Sequence, residues 1–341
     1  MVRIFNFSPA ASALCAATVI ATLVSSAVLA NSFPLPGPQD AVVGETQVIT
    51  AKYEDTLGEL GRRHGIGYEE IVRANPGVNP WLPGSGTQVT IPARFILPEA
   101  PRVGIVINLP EHRLYYYPIP KKGDPAVVVT YPISVGKMDW TTPLGLTRIV
   151  DKRVKPSWYP PESVRREHEE EGDPLPKVVP PGPDNPLGEY AMRLDIPGGA
   201  YLIHGTNKPI AVGMPVTHGC IRMFPEDIER FFAMVPVKTP VRIMHQPNKA
   251  GWQGDKLYME VHPQMEGDPE AQSLTNVTRM LVAATRDREN GMTRIDWAQA
   301  ESIFRKASGV AEPMVTSETS SSGARLLKGA ELDVSRTVEV R

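Results

Sequence analysis

At 341 residues with a net charge of −2, the chain is too long for one small core and shows no electrostatic footprint for nucleic acid. Hydrophobic residues at 41% and charged residues at 22% fit a soluble globular protein. Proline is heavy, at 35 residues, which points to long ordered loops rather than helix bundles.

Residues 1–30 read as a cleaved export signal. Arg3 is its only charge, an apolar stretch runs from Ala10 to Val24, and Val28-Leu29-Ala30 offers a small-residue cleavage site. An uncleaved anchor is the competing reading, since the stretch nears spanning length. Cys15 lies in this segment, so cleavage leaves Cys220 as the only thiol. An odd cysteine in an exported protein is either an intermolecular bridge or a reactive thiol.

Residues 31–45 are an extended lead-in with Pro34, Pro36 and Pro38. Residues 46–92 then read as a βααβ unit: a strand over Gln47–Ala51, a helix capped by Asp55 with His64 in its last turn, a helix Tyr68–Ala74, and a strand Gln88–Ile91. Asn75-Pro76-Gly77 and Pro83-Gly84 break the chain between elements. The residues Asp55-Thr56-Leu57, Ile71, Ala74-Asn75-Pro76, Leu82-Pro83-Gly84 and Val89-Thr90-Ile91-Pro92 resemble a LysM module, which implies glycan binding. Lys52-Tyr53-Glu54 departs from that pattern, and a spacer role is the alternative.

From Val103 the strand character strengthens. Val103–Leu109 and Arg113–Tyr117 read as a hairpin across Pro110-Glu111-His112, followed by strands at Ala126–Val135 and Thr147–Val154. Residues 156–189 interrupt with nine prolines and a short charged helix at Glu162–Glu171, as a lid-like insertion would. Within it, Trp158 and Tyr159 are candidates for substrate contact, with core packing equally open, while Glu169-Glu170-Glu171 reads as a solvated face. Strands return at Tyr190–Asp195, Tyr201–His204 and Pro240–Met244. Between the last two, Pro225 opens a helix with Glu226 and Asp227 in its first turn and Ile228, Phe231, Phe232 and Val235 on its core face. The expected fold is therefore a mainly β catalytic domain over 101–246, a mixed β-sandwich or barrel-like sheet with a short helix after the motif. An α+β region of unknown role follows at 247–308, with a strand Leu257–His262 and helices at 276–289 and Asp296–Ala307. In the last of these, Trp297, Ala300 and Phe304 share one face, and 309–341 reads as a disordered Ser/Thr-rich tail.

The chemistry concentrates in Thr217-His218-Gly219-Cys220-Ile221-Arg222, with Ile203-His204-Gly205 upstream. A thiol is mostly protonated at neutral pH, so a neighbouring histidine removes its proton and stabilises the thiolate. His204 stands at a strand end, and the amides of Gly219 and Cys220 are candidate oxyanion donors. Two other readings stay open on these residues alone. His204, His218 and Cys220 could ligate zinc, although no fourth ligand stands at familiar spacing; or the cysteine is buried and inert.

His204, twelve intervening residues, then Thr217-His218-Gly219-Cys220-Ile221-Arg222-Met223 resembles the signature of the L,D-transpeptidases with their YkuD-type domain. The export signal, the LysM-like unit and Pro181-Gly182-Pro183-Asp184-Asn185-Pro186-Leu187-Gly188 look like the Gram-negative periplasmic branch. The resemblance implies Cys220 as nucleophile, His204 as proton donor and acceptor, and the Gly205 carbonyl orienting His204. Gly219 would supply an oxyanion amide, and His218, Thr217 and Arg222 would shape the site and hold the acyl donor.

It further implies attack on the diaminopimelate carbonyl of a peptidoglycan tetrapeptide stem, release of D-alanine, and transfer of the thioester to an amine. That amine would be a second stem, giving a 3→3 cross-link, or the C-terminal lysine of the murein lipoprotein. No metal or organic cofactor is implied, and carbapenems would acylate the cysteine. A hydrolase using the same residues and a non-catalytic peptidoglycan-binding scaffold are the alternatives. Deleting 46–92 is expected to weaken sacculus binding and spare turnover of soluble fragments, and unchanged binding would make the unit a spacer.

Overall fold

Strands Gly104–Asn108 and Arg113–Tyr117 are buried at every position, because successive side chains enter two different cores. Ile105, Ile107, Leu114 and Tyr116 face one core, whereas Val106, Tyr115 and Tyr117 face the other. The structure is a computed structural model that describes residues 32–136, 142–198, 201–265, 273–286, 293–314 and 316–318. The expected export signal at 1–30 lies outside the described residues.

These two strands sit within a nine-stranded mixed sheet. Its order is Ser32–Pro34, Val127–Pro132, Arg113–Tyr117, Gly104–Asn108, Pro240–Met244, Gly145–Val154, Tyr190–Leu194, Leu202–His204 and Ile221–Arg222. Two joins are parallel, Gly104–Asn108 with Pro240–Met244 and Leu202–His204 with Ile221–Arg222; the others are antiparallel. The sheet curls until its ends meet. Just past Val127–Pro132, Ser134 donates its amide to the Arg222 carbonyl at 2.9 Å and accepts the Arg222 amide at 3.0 Å. Val135–Gly136 then pairs in parallel with Pro215–Thr217. The barrel-like expectation holds, and its seam lies on the strand that follows Cys220.

Inside the curl sits the helix Pro225–Met234, with proline in its first turn as expected. Its Ile228 and Phe231 are buried in the first core, and the Phe231 ring meets Tyr116 and Tyr131 edge-on at 5.6 and 5.4 Å.

The second core joins the N-terminal unit to the large sheet. The βααβ order is present: Gln47–Thr50 pairs antiparallel with Gln88–Ile91 around helices Leu57–Arg63 and Tyr68–Ala74. Thr56, rather than Asp55, caps the first helix by accepting the Glu59 amide at 3.1 Å. Asp55 instead accepts the Lys52 amide at 2.8 Å and pairs with Arg63. His64 is the C-cap residue. The unit's Leu57, Leu60, Ile66, Ile71, Val89 and Ile91, however, share one continuous cluster with Val106, Tyr115, Tyr117 and Val128 of the large sheet. Arg113, fully buried on that sheet, donates to both carboxylate oxygens of Glu70 at 2.7 Å and lies 4.0 Å from the Phe95 ring centroid. The outer face of the catalytic sheet is therefore the floor of the βααβ unit.

The C-terminal region is a hairpin, Asn248–Gln253 with Lys256–Val261, packed against helices Leu274–Arg286 and Trp297–Lys306. Asp296 caps the last helix by accepting the Gln299 amide at 3.0 Å. That helix buries Ala300 and Ile303 and leaves Trp297 exposed, so its core stripe is turned from the one expected. The expectation of disorder from Gly309 onward is also corrected over 309–314 and 316–318. Glu312–Pro313 pairs with Lys256–Val261, the Met314 amide donates to the Leu257 carbonyl at 2.8 Å, and Thr316–Glu318 pairs with Thr293–Ile295. Buried Ala311 and Met314 supply the apolar anchors that a Ser/Thr-rich composition hides. Residues 319–341 lie outside the described ones.

Candidate active site

His204 and Cys220 are sixteen residues apart in sequence and one strand apart in space. Leu202–His204 and Ile221–Arg222 run parallel with Ile203 opposite Ile221 and His204 opposite Arg222, and the Met223 amide closes on the His204 carbonyl at 2.9 Å. Both side chains line a cavity of about 450 Å³, together with Trp158, Tyr159, Thr217, His218 and Arg222. Seven of the nine residues singled out from the sequence thus meet in one pocket; Gly205 and Gly219 contribute backbone.

That backbone sets the chemistry. The Gly205 carbonyl accepts from His204 Nδ1 at 2.6 Å. A carbonyl accepts only from an N–H, so the proton sits on Nδ1 and Nε2 is the basic nitrogen. Gly219 lies at φ +93°, where a side chain would be strained, directly before Cys220. Its carbonyl accepts from Thr142 Oγ1 at 2.9 Å, and the Cys220 carbonyl accepts from Thr217 Oγ1 at 2.6 Å. The two hydroxyls fix the peptide planes on either side of the cysteine. Thr217, expected to hold substrate, lines the pocket with its hydroxyl engaged inside the motif.

Residues 102–243 match the model of the L,D-transpeptidase catalytic domain. The chain is 40% identical over 255 residues to the probable L,D-transpeptidase YcfS of Escherichia coli K12, covering 72% of this chain and 78% of that protein. It is 38% identical over 292 residues to the probable L,D-transpeptidase YbiS of the same strain, covering 84% and 92%. The chain belongs to the L,D-transpeptidase family. Members are cysteine-dependent acyltransferases, and the family substrate is peptidoglycan.

For an L,D-transpeptidase the resting protonation state matters, and here it differs from the expected thiolate. Burial, then the positive Arg222, pushes the His204 pKa down to about 3, against the opposing pull of the Gly205 and Leu187 carbonyls. Burial likewise pushes the Cys220 thiol up from its ordinary value of 9.0, only partly offset by a hydrogen bond from the Leu202 backbone and by Arg222. Both shifts favour a neutral thiol beside a neutral imidazole. At rest the two groups are therefore not a standing thiolate–imidazolium ion pair. Alkylation of Cys220 by iodoacetamide is expected to rise continuously from about pH 6 to beyond about pH 9, following the thiolate fraction. A plateau across neutral pH would show a preformed thiolate and contradict the neutral pair.

Some site residues carried no sequence signal. Glu167, on the helix Glu162–Glu170 of the insertion, places Oε2 at 2.7 Å from His218 Nε2. Nothing in the sequence ties a glutamate in a charged helix to a histidine 51 residues away. The end of the insertion is held by buried Asn185, whose Nδ2 reaches the Pro156 carbonyl at 2.9 Å and whose Oδ1 accepts the Leu187 amide at 2.9 Å. Gly188, at φ +66°, lets this segment pass against Thr206, since a Cβ there would lie 2.9 Å from the Thr206 nitrogen. The insertion is thus built into the wall of the site. Asp151 and Arg193, opposite each other on neighbouring strands, also line the cavity, as does Arg153.

Proposed function

We propose that this chain is an exported, periplasmic peptidoglycan L,D-transpeptidase in which Cys220 is the nucleophile and His204 the base. The observation that carries the reading is the His204/Cys220 pairing on adjacent parallel strands within one cavity, with the imidazole tautomer set by Gly205. As the Cys220 sulfur attacks the diaminopimelate carbonyl of a tetrapeptide stem, its proton passes to His204 Nε2. The tetrahedral oxyanion is stabilised by the backbone amides of Gly219 and Cys220, and Thr142 holds the peptide plane that carries the Cys220 N–H. Collapse breaks the peptide bond to D-alanine, which leaves with the proton from His204, and a thioester remains. An amine then resolves the thioester.

Arg222 supports recognition of the donor. It is half-buried beside Cys220, and its Nε has no hydrogen-bond partner among the described residues. A guanidinium desolvated to this degree seeks an anion, and the stem offers carboxylates. Arg193 at the cavity wall adds to the positive field, while Arg153 there is paired with Asp151 at 2.7 Å. Acceptors in this reading are a second stem or the lysine of a murein lipoprotein. Trp158 and Tyr159, the latter exposed, give apolar faces for the stem.

The test is to incubate the protein with disaccharide-tetrapeptide and follow two products, free D-alanine and an acyl adduct on the peptide containing Cys220. Both are expected. D-alanine release with no adduct, or an adduct elsewhere, overturns the assignment; absence of both returns the chain to a binding role.

A further inference from the structure

A break in one strand turns charged side chains into the cavity. Along Gly145–Val154 the register slips at Val150, so that Ile149 stands opposite Leu194 and Asp151 opposite Arg193. Ile149 and Leu194 are buried in the first core. Beyond the slip, Lys152 and Met192 stand together on that side: Met192 is buried in the same core, and Lys152 Nζ donates to the Val235 carbonyl at 2.7 Å, at the end of the helix inside the curl. Asp151 and Arg153 therefore face the other way, into the cavity that His204 and Cys220 line. In an unbroken strand they would have pointed to the core, as Ile149 does.

Strand pairing then sets how far these charges lie from the nucleophile. Ala191 stands opposite His204, and Arg193 opposite Leu202, whose backbone hydrogen-bonds the Cys220 sulfur. Arg193 and Asp151 are thus one and two strands away from Leu202, about 5 and 10 Å across the sheet. The Asp151 carboxylate accepts one hydrogen bond on each oxygen, from the Lys152 amide at 2.9 Å and from Arg153 Nε at 2.7 Å, and has lone pairs to spare. Arg193 is exposed on the cavity wall, with no hydrogen bond or ion pair among the described residues. A guanidinium and a carboxylate therefore stand side by side, both open to whatever fills the cavity next to Cys220.

Resting on the transpeptidase reading above, we infer that Arg193 and Asp151 form a subsite for the far end of the acyl-donor residue, Arg193 pairing with its carboxylate and Asp151 with its ammonium. The diaminopimelate side chain ends in a carbon that bears both groups. That carbon lies about 6 Å from the reacting carbonyl carbon when the chain is extended. With the carbonyl at Cys220, beside Leu202, the chain reaches along the row towards Arg193 and Asp151. Two opposite charges on neighbouring strands match two opposite charges on one carbon. Lysine in the same stem position has the same chain length and the same ammonium but lacks the carboxylate, so Arg193 is the residue that tells the two apart. It touches no reacting atom. Its contact is the same before and during bond making, so it acts on KM rather than on kcat.

The experiment compares the full chain with Arg193→Gln, Arg193→Lys and Asp151→Asn on two disaccharide-tetrapeptides, one with diaminopimelate and one with lysine at the third position. Initial rates of D-alanine release give kcat and KM for each. The parent chain should prefer the diaminopimelate stem by about tenfold or more in kcat/KM. Arg193→Gln should raise KM for that stem about tenfold and leave kcat and the lysine stem unchanged, which abolishes the preference. Arg193→Lys should keep part of it. Asp151→Asn should weaken both stems, since both end in an ammonium. A parent chain without preference, an Arg193→Gln chain that slows both stems alike or neither, or an Asp151→Asn chain unchanged on both overturns the inference. Failure of the parent chain to release D-alanine from either stem would sink the transpeptidase reading instead.

Discussion

Deleting residues 46–92 is expected to leave no folded catalytic domain, rather than a soluble enzyme that has lost its tether. The deletion strips cover from Phe95, Val106, Tyr115, Tyr117 and Val128, which share a single cluster with Leu57, Leu60, Ile66, Ile71, Val89 and Ile91. Re-exposing each large apolar side chain costs about 1.5–3 kcal/mol. The deletion also removes Glu70, the ion-pair partner of Arg113. Over the five side chains the loss is about 7–15 kcal/mol, which matches the roughly 5–15 kcal/mol by which a domain is stable. The shortened chain should be insoluble, or soluble without a cooperative melt by circular dichroism. A fragment that melts cooperatively and still releases D-alanine would show that the shared core is dispensable.

The same shared core marks the limit of what the sequence disclosed. The chemistry was legible because it is local: a nucleophile, a glycine that frees the backbone before it, and a base at the end of a neighbouring strand must recur at fixed spacing. The strands and the helix after Cys220 were legible from periodicity and from Pro225. Partnerships across the fold were not. Val106 and Tyr115 belong to a run apolar at nearly every position, which says both faces are covered but not by what. Glu167 sits in a helix rich in charge, where one carboxylate looks like another. Arg113 reads as a surface residue at a strand start, yet it is fully buried because Glu70 comes from a helix 43 residues upstream. Ala311 and Met314 are too few to offset a polar composition, and only the exposed edge of Lys256–Val261 gives their segment something to pair with.

Lys249 gives the second large effect, for the same reason. In the hairpin it stands directly opposite Glu260, which reads as a solvated cross-strand pair. Instead both side chains are 1% exposed. Lys249 Nζ lies 2.8 Å from Glu111 Oε2, 2.7 Å from Glu260 Oε1 and 2.7 Å from the Ile96 carbonyl, which joins the catalytic hairpin turn, the connecting segment and the C-terminal region. Glu111, Glu260 and His262 converge closely enough to hold a cation, and the ammonium already serves there. Burial keeps His262 neutral, with its pKa well below the usual histidine range, the Glu111 charge opposing this and Lys249 adding to it. Replacing Lys249 by Met would leave two carboxylates facing each other in the interior with no cation, at a cost of about 3–5 kcal/mol.

The penalty should also depend on pH, in a direction that follows from linkage. Without Lys249 one cause of the His262 depression is gone, so the variant loses less stability than the parent chain as pH falls through the ordinary histidine value of 6.5. Urea unfolding of Lys249→Met against the parent chain should therefore show a smaller stability gap at about pH 5 than at about pH 8. A gap below about 1 kcal/mol, or one that does not change with pH, would mean that the network is hydrated and contributes as an ordinary surface pair does.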